Sequence, residues 1–178
     1  ENGVKLAGWD GFIIDNWFSG NGKAGFGAYE KNASITMTGN RIEWNKLGGI
    51  VIHSPVWHYN ICGNYIDRSG GPGIGILAKK EDSCQDFSIV GNIIHRSGKP
   101  DFRPLETYEN AAVRFENVRG MVFSGNSMVA GCDDNSNVCE CVIDDVCHMH
   151  DPHNGSNEMR LEKVTLPDGR ELICYGRR

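Results

Sequence analysis

Short runs of alternating apolar and polar residues recur along this chain, and one of them returns in phase. Ile35-Thr-Met-Thr-Gly39-Asn40-Arg-Ile42, Tyr59-Asn-Ile-Cys-Gly63-Asn64-Tyr-Ile66, Phe87-Ser-Ile-Val-Gly91-Asn92-Ile-Ile94 and Met121-Val-Phe-Ser-Gly125-Asn126-Ser-Met128 align without gaps. An earlier copy reads Gly11-Phe-Ile13-Ile-Asp15-Asn16-Trp-Phe18. The asparagines fall at 16, 40, 64, 92 and 126, at intervals of 24, 24, 28 and 34 residues. Period-two alternation predicts strands with one buried face. Several copies carry a second run, Gly25–Ala28, Gly49–Ile52, Gly73–Ile76 and Ala112–Phe115. One supersecondary unit repeated with variable insertions predicts a solenoid. The expected fold is all-β: five to six stacked coils, with a degenerate sixth at Cys141-Val-Ile143-Asp-Asp145-Val146, where Val146 replaces the asparagine. An antiparallel sandwich with Asn-Gly turns competes, but hairpins do not explain an asparagine that keeps its phase five times.

Asparagine suits such a turn because it tolerates unusual backbone angles and bonds neighbouring backbone groups. Stacked coils would also set the amides about 4.8 Å apart, which predicts a ladder through Asn16, Asn40, Asn64, Asn92 and Asn126. This repeated Gly-Asn with flanking aliphatics, over roughly residues 8 to 147, resembles the pectate-lyase-like superfamily of right-handed parallel β-helix proteins. The resemblance implies a right-handed solenoid. It also implies a choice among polysaccharide lyases, glycoside hydrolases, epimerases and tailspikes, which a shared fold does not make.

The two ends differ. No amphipathic capping helix precedes the first coil, so earlier coils or a partner subunit are expected to cover that end and its strand edges. At the other end, Leu161–Leu166, the turn Pro167-Asp168-Gly169 and Arg170–Tyr175 predict a β-hairpin. The expected division is residues 1–150 for the coils and 151–178 for a loop and hairpin cap.

Composition changes this picture little. Of 178 residues, 39% are hydrophobic and 23% charged, and 23 glycines without a G-X-Y period suit many tight turns. A net charge of −5 argues against a nucleic-acid partner, and no run of about 18 apolar residues predicts a membrane span. The resemblance implies a polysaccharide or oligosaccharide partner and a secreted, periplasmic or virion-surface location. A homo-oligomer is a further possibility.

The repeat also turns scattered side chains into columns. Three residues after each turn asparagine come Ser19, Glu43, Asp67, His95 and Val129, and one residue later Gly20, Trp44, Arg68, Arg96 and Ala130. A surface row of Glu43, Asp67 and His95 is therefore the expected catalytic group, since paired carboxylates and an imidazole can move protons in glycoside cleavage. Trp44, Arg68 and Arg96 beside it can bind sugar faces and acidic groups. The competing reading is a solvated face of paired charges.

His53 and Glu116 share another column, with Arg114 two residues before Glu116. The longest insertion, between Gly98 and Asn110, brings Asp101, Arg103, Glu106, Tyr108 and Glu109, and Lys79-Lys80-Glu81-Asp82 leaves the preceding coil. Loops on a rigid scaffold often bind, so Asp101, Arg103, Glu106, Arg114 and Glu116 join the expected substrate-binding set.

Cys132, Cys139, Cys141 and Cys147 with His148, His150 and His153 are zinc-type ligands, but their spacing matches no standard motif. Disulfides, metal and buried thiols all remain open there. Asp133, Asp134, Asp144 and Asp145 could gather calcium, yet no loop pattern calls for it. No metal site is therefore assigned, and no organic cofactor is expected. The chain reads as a carbohydrate-active β-helix protein of the hydrolase or lyase type, or as a non-catalytic glycan-binding or structural solenoid.

Overall fold

The computed structural model describes residues 1–53, 55–79, 81–98, 111–129, 139–144, 149–150 and 160–176. Three sheets run the length of a β-solenoid, and strands are numbered here in chain order. The first sheet holds β1 (Val4–Leu6), β4 (Ala24–Ala28), β7 (Gly48–Ile52), β10 (Ile74–Leu77), β13 (Ala111–Glu116) and β16 (Cys139–Asp144) in parallel. The second holds β2 (Trp9–Ile14), β5 (Asn32–Thr38), β8 (Val56–Cys62), β11 (Cys84–Val90), β14 (Val118–Ser124) and β17 (Met149–His150). The third holds β3 (Trp17–Ser19), β6 (Arg41–Glu43), β9 (Tyr65–Asp67), β12 (Ile93–His95) and β15 (Ser127–Val129). Each of the first five coils contributes one strand to each sheet, and the sixth adds β16 and β17, which is the parallel β-helix that the repeat predicts.

The pairing register matches the sequence alignment. Ile35, Tyr59, Phe87 and Met121 stand one above another, as do Met37, Ile61, Ile89 and Phe123. Their side chains are buried, with Ile42, Ile66, Ile94 and Met128 from the third sheet and Phe26, Ile50, Ile74 and Val113 from the first. Each such burial is worth about 1.5–3 kcal/mol. Tyr59 stacks on Phe87 at 5.4 Å, and Phe115 meets Phe123 edge-on at 5.3 Å, so aromatic rings help join the first and second sheets.

The asparagine ladder is present. Asn16 donates its amide to Asn40 at 3.1 Å, Asn40 to Asn64 at 2.9 Å, Asn64 to Asn92 at 3.0 Å and Asn92 to Asn126 at 2.9 Å. One expectation about the turn needs correcting. The left-handed backbone belongs to the residue before each asparagine: Asp15, Gly39, Gly63, Gly91 and Gly125 have φ of 55°, 68°, 63°, 65° and 63°. Asparagine is needed for its amide, which points inward, and not for its backbone tolerance.

The sixth coil is also phased differently. Cys141 pairs with Val113 and Ile143 with Phe115, so Cys141–Ile143 continues the first sheet. The counterpart of the Gly-Asn strand is β17, where Met149 pairs with Met121. Both strand types alternate with period two, so without Gly-Asn the alternation could not tell them apart.

β18 (Arg160–Thr165) and β19 (Glu171–Gly176) form the expected hairpin, and β19 pairs antiparallel with β16. Leu166, Leu172 and Cys174 pack there on Ala111 and Val142. Val4, Leu6, Ile13 and Phe18 of the first coil face the core but are only partly buried. Among the described residues no helix is long and apolar enough to cross a membrane.

Candidate functional site

The third sheet presents three adjoining columns outside the core. Trp17, Arg41, Tyr65 and Ile93 make the first, and Ser19, Glu43, Asp67 and His95 the second. The third follows each strand at Gly20, Trp44, Arg68 and Arg96, all with left-handed φ, between 43° for Arg96 and 69° for Gly20. For the three non-glycine residues that conformation costs on the order of 1 kcal/mol each. It turns Trp44, Arg68 and Arg96 beside the carboxylate column.

The predicted row of Glu43, Asp67 and His95 is therefore real, but its acids do not lie on an open surface. Asp67 is 0% exposed and Glu43 6%. Arg96 holds Asp67 bidentately, Nε to Oδ1 at 2.8 Å and Nη2 to Oδ2 at 2.5 Å, while Arg68 Nη1 donates to Oδ2 at 2.6 Å. Such charge-assisted pairs are strong and fix geometry. Glu43 receives Arg41 Nε at 2.8 Å and the Trp17 indole N–H at 3.0 Å. The Arg41 hydrogen bond holds its carboxyl below the ordinary 4.5 despite burial, with further help from Trp17. The burial follows from long neighbours that fold over the acids, Arg41 and Arg68 from the same coil and Trp17 and Arg96 from an adjacent one.

The same residues build aromatic–cation pairs. Arg68 lies over the Trp44 ring at 4.7 Å, and Arg41 over the Tyr65 ring at 4.9 Å. Trp17 and Trp44 stay 71% and 45% exposed. His95 packs edge-on against Tyr65 at 6.3 Å, and its buried Nε2 has no hydrogen-bond partner among the described residues. Trp17, Arg41 and Tyr65 were not singled out from sequence. Their signal was there, one residue after the turn asparagine, at the start of each third-sheet strand.

A second polar cluster lies on the first sheet. Leu77 opposes Glu116 and Ile76 opposes Ile52, so His53 falls in line with Glu116 as expected. Glu116 is buried between Arg114 and Arg170, whose Nη1 reaches Oε2 at 2.5 Å. Arg170 comes from the turn of the hairpin, so this carboxylate ties the hairpin to the coils. His53 stacks on Tyr29 at 5.6 Å. Partial burial pushes its imidazole below the ordinary 6.5, against the pull of Glu116 and with a smaller push from Arg114.

Asp101, Arg103 and Glu106 lie outside the described residues, as do Tyr108, Glu109, Cys132, Cys147, Asp133, Asp134 and Asp145. Cys141 is buried and faces the core, which fits a small apolar side chain. Asp144 is buried and accepts the Asn117 backbone N–H at 2.7 Å. Among the described residues no three His, Cys, Asp or Glu side chains are placed to hold a metal ion.

No curated protein and no solved structure matches the chain. The family described as the right-handed β-helix region matches residues 1–143. That match spans most of the chain and coincides with the three parallel sheets, and the chain belongs to the right-handed β-helix family.

Proposed function

We propose that this protein binds a polysaccharide on the outer face of its third sheet, as a glycan-binding β-helix. The observation that carries this reading is the contrast within one face: Asp67 is 0% exposed beneath arginines, while Trp17 and Trp44 beside it are 71% and 45% exposed. Exposed aromatic rings offer apolar faces to sugars, and guanidinium groups donate to hydroxyl and acidic groups. Glu43 and Asp67 then act as anchors that set Arg41, Arg68 and Arg96. A general acid must carry its proton near the working pH, and the Arg41 contact holds Glu43 ionised. A polysaccharide ligand suits a secreted, periplasmic or virion-surface protein.

The test is a glycan array followed by titration of the best binders. Trp17→Ala and Trp44→Ala are expected to weaken binding at least tenfold, about 1.4 kcal/mol. Unchanged binding in both variants would overturn the reading. One observation favours the hydrolase or lyase alternative, namely the unpartnered Nε2 of His95 in the acidic row. Release of new reducing or unsaturated sugar ends by the wild type, lost in His95→Gln, would establish cleavage in its place.

A further inference from the structure

The outer face of the second sheet carries aromatic residues that neither the core nor the third-sheet face uses. Its columns are Trp9, Ala33, Trp57, Gln85 and Arg119; then Phe12, Thr36, Asn60, Ser88 and Val122; then Ile14, Thr38, Cys62, Val90 and Ser124. The aromatic members all belong to the first three coils. Trp9 is 64% and Phe12 78% exposed.

Trp9 and Trp57 are two coils apart, so their backbones are about 9–10 Å from each other. Their rings nevertheless lie parallel, 4° from coplanar orientation, with centroids 6.3 Å apart. They lean together over Ala33, the small residue of the coil between them. The result is a stacked aromatic pair held by the first and third turns of a rigid solenoid.

Charge on this face differs from that on the third sheet. Asp10 is exposed beside Trp9, and His58 pairs with Asp86 at 3.4 Å. Arginine first enters these columns in the fifth coil, at Arg119. An anionic sugar would meet Asp10 with no arginine in the first four coils of these columns to offset it, whereas a neutral sugar would find an acceptor for its hydroxyls. Thr36 and Asn60, half-buried beside Phe12, make no side-chain hydrogen bond within the described residues and offer further donors and acceptors. Exposed Trp9, Phe12 and Ile14 also lead along β2 towards the proposed glycan face: Ile14 ends β2 and Trp17 begins β3, on the two sides of the Asp15–Asn16 corner.

We propose that Trp9 and Trp57, with Phe12, Thr36 and Asn60, form a second subsite that stacks uncharged pyranose rings of a glycan extending round the corner from Trp17. This inference rests on the glycan-binding reading of the third sheet. It means that the ligand runs across the coils as well as along them, and that its length and neutrality are read on the second sheet.

The experiment titrates the whole chain with ladders of cello-oligosaccharides, xylo-oligosaccharides and oligogalacturonates, followed by calorimetry. The variants are Phe12→Ala and the double variant Trp9→Ala/Trp57→Ala, each checked for an unaltered thermal transition. Phe12, being 78% exposed, provides the variant that leaves folding untouched. The expected result is affinity for neutral ladders that rises with length in the wild type, and loss of at least tenfold of that gain in both variants. Length dependence that survives both variants overturns the subsite. So does a patch that serves only to join two copies, seen as a dimer that the variants dissociate without altering sugar binding. If Trp17→Ala and Trp44→Ala also leave every ladder unaffected, or if no ladder binds, the third-sheet reading fails with it.

Discussion

Glu43 keeps a charge where little water reaches, because Arg41 and Trp17 donate to its carboxylate. Its depressed pKa makes it a source of pH-dependent stability. In the unfolded chain the carboxyl takes up a proton near 4.5, whereas the folded chain holds it ionised to lower pH. Its contribution is therefore complete above the ordinary value and is lost as pH falls through the depressed one. His53 works in the same direction nearer neutrality. Burial disfavours its imidazolium in the fold, so the unfolded chain gains the proton first as pH drops below 6.5. Thermal melts of wild type and Glu43→Gln are expected to show a steeper loss of Tm for the wild type between about pH 5 and pH 3. Parallel curves would mean that the Arg41 contact contributes nothing. The sequence identified Glu43 and Asp67 as members of one row, because column membership needs only the repeat. It did not show their burial, since that depends on how Arg41 and Arg68 of the same coil, and Trp17 and Arg96 of adjacent coils, fold across them.

At the scale of the element, the asparagine ladder joins one coil to the next. Asn64 accepts both the backbone N–H and the side-chain amide of Asn40, at 3.1 and 2.9 Å, and donates to Met37 O at 3.0 Å. Asn64→Ala would strand buried donors of Asn40, at an expected cost of about 3 kcal/mol. Asn16 is exposed at the first coil and only donates, so Asn16→Ala should cost below about 1 kcal/mol. Urea unfolding midpoints decide the matter, and equal shifts would deny the interior rungs their special role. A second, shorter ladder is also written in the repeat, five residues after the turn asparagine. Asn21 donates to Asn45 at 2.8 Å, and Ser69 and Ser97 occupy the same phase in later coils. The phase of the sixth coil was not legible, because losing the Gly-Asn marker leaves an alternation that fits either sheet.

At the scale of the whole molecule, the close approach of the first and third sheets sets what can stand between them. A side chain on Gly49 would meet the Gly73 carbonyl oxygen at 2.5 Å and Ile66 Cγ2 at 2.6 Å. Gly49→Ala is therefore expected to cost about 1–3 kcal/mol through overpacking. In the fifth coil the same column holds Ala112, next to Gly73, and Ala112→Gly should cost only about 0.5–1 kcal/mol. Thermal unfolding of the two variants tests this, and a Gly49→Ala protein as stable as wild type would show that the sheets can part. The sequence by itself determined the solenoid, its coil length, the ladder and the order of residues in each column, because stacking in register copies the chain's own periodicity into space. The tertiary structure decided which columns are open. It buried Glu43 and Asp67 under arginines, left Trp17, Trp9 and Phe12 facing outward, and brought Arg170 of the hairpin to Glu116. Those outcomes depend on side-chain reach between coils and on contacts far apart in the chain, neither of which a periodic pattern encodes.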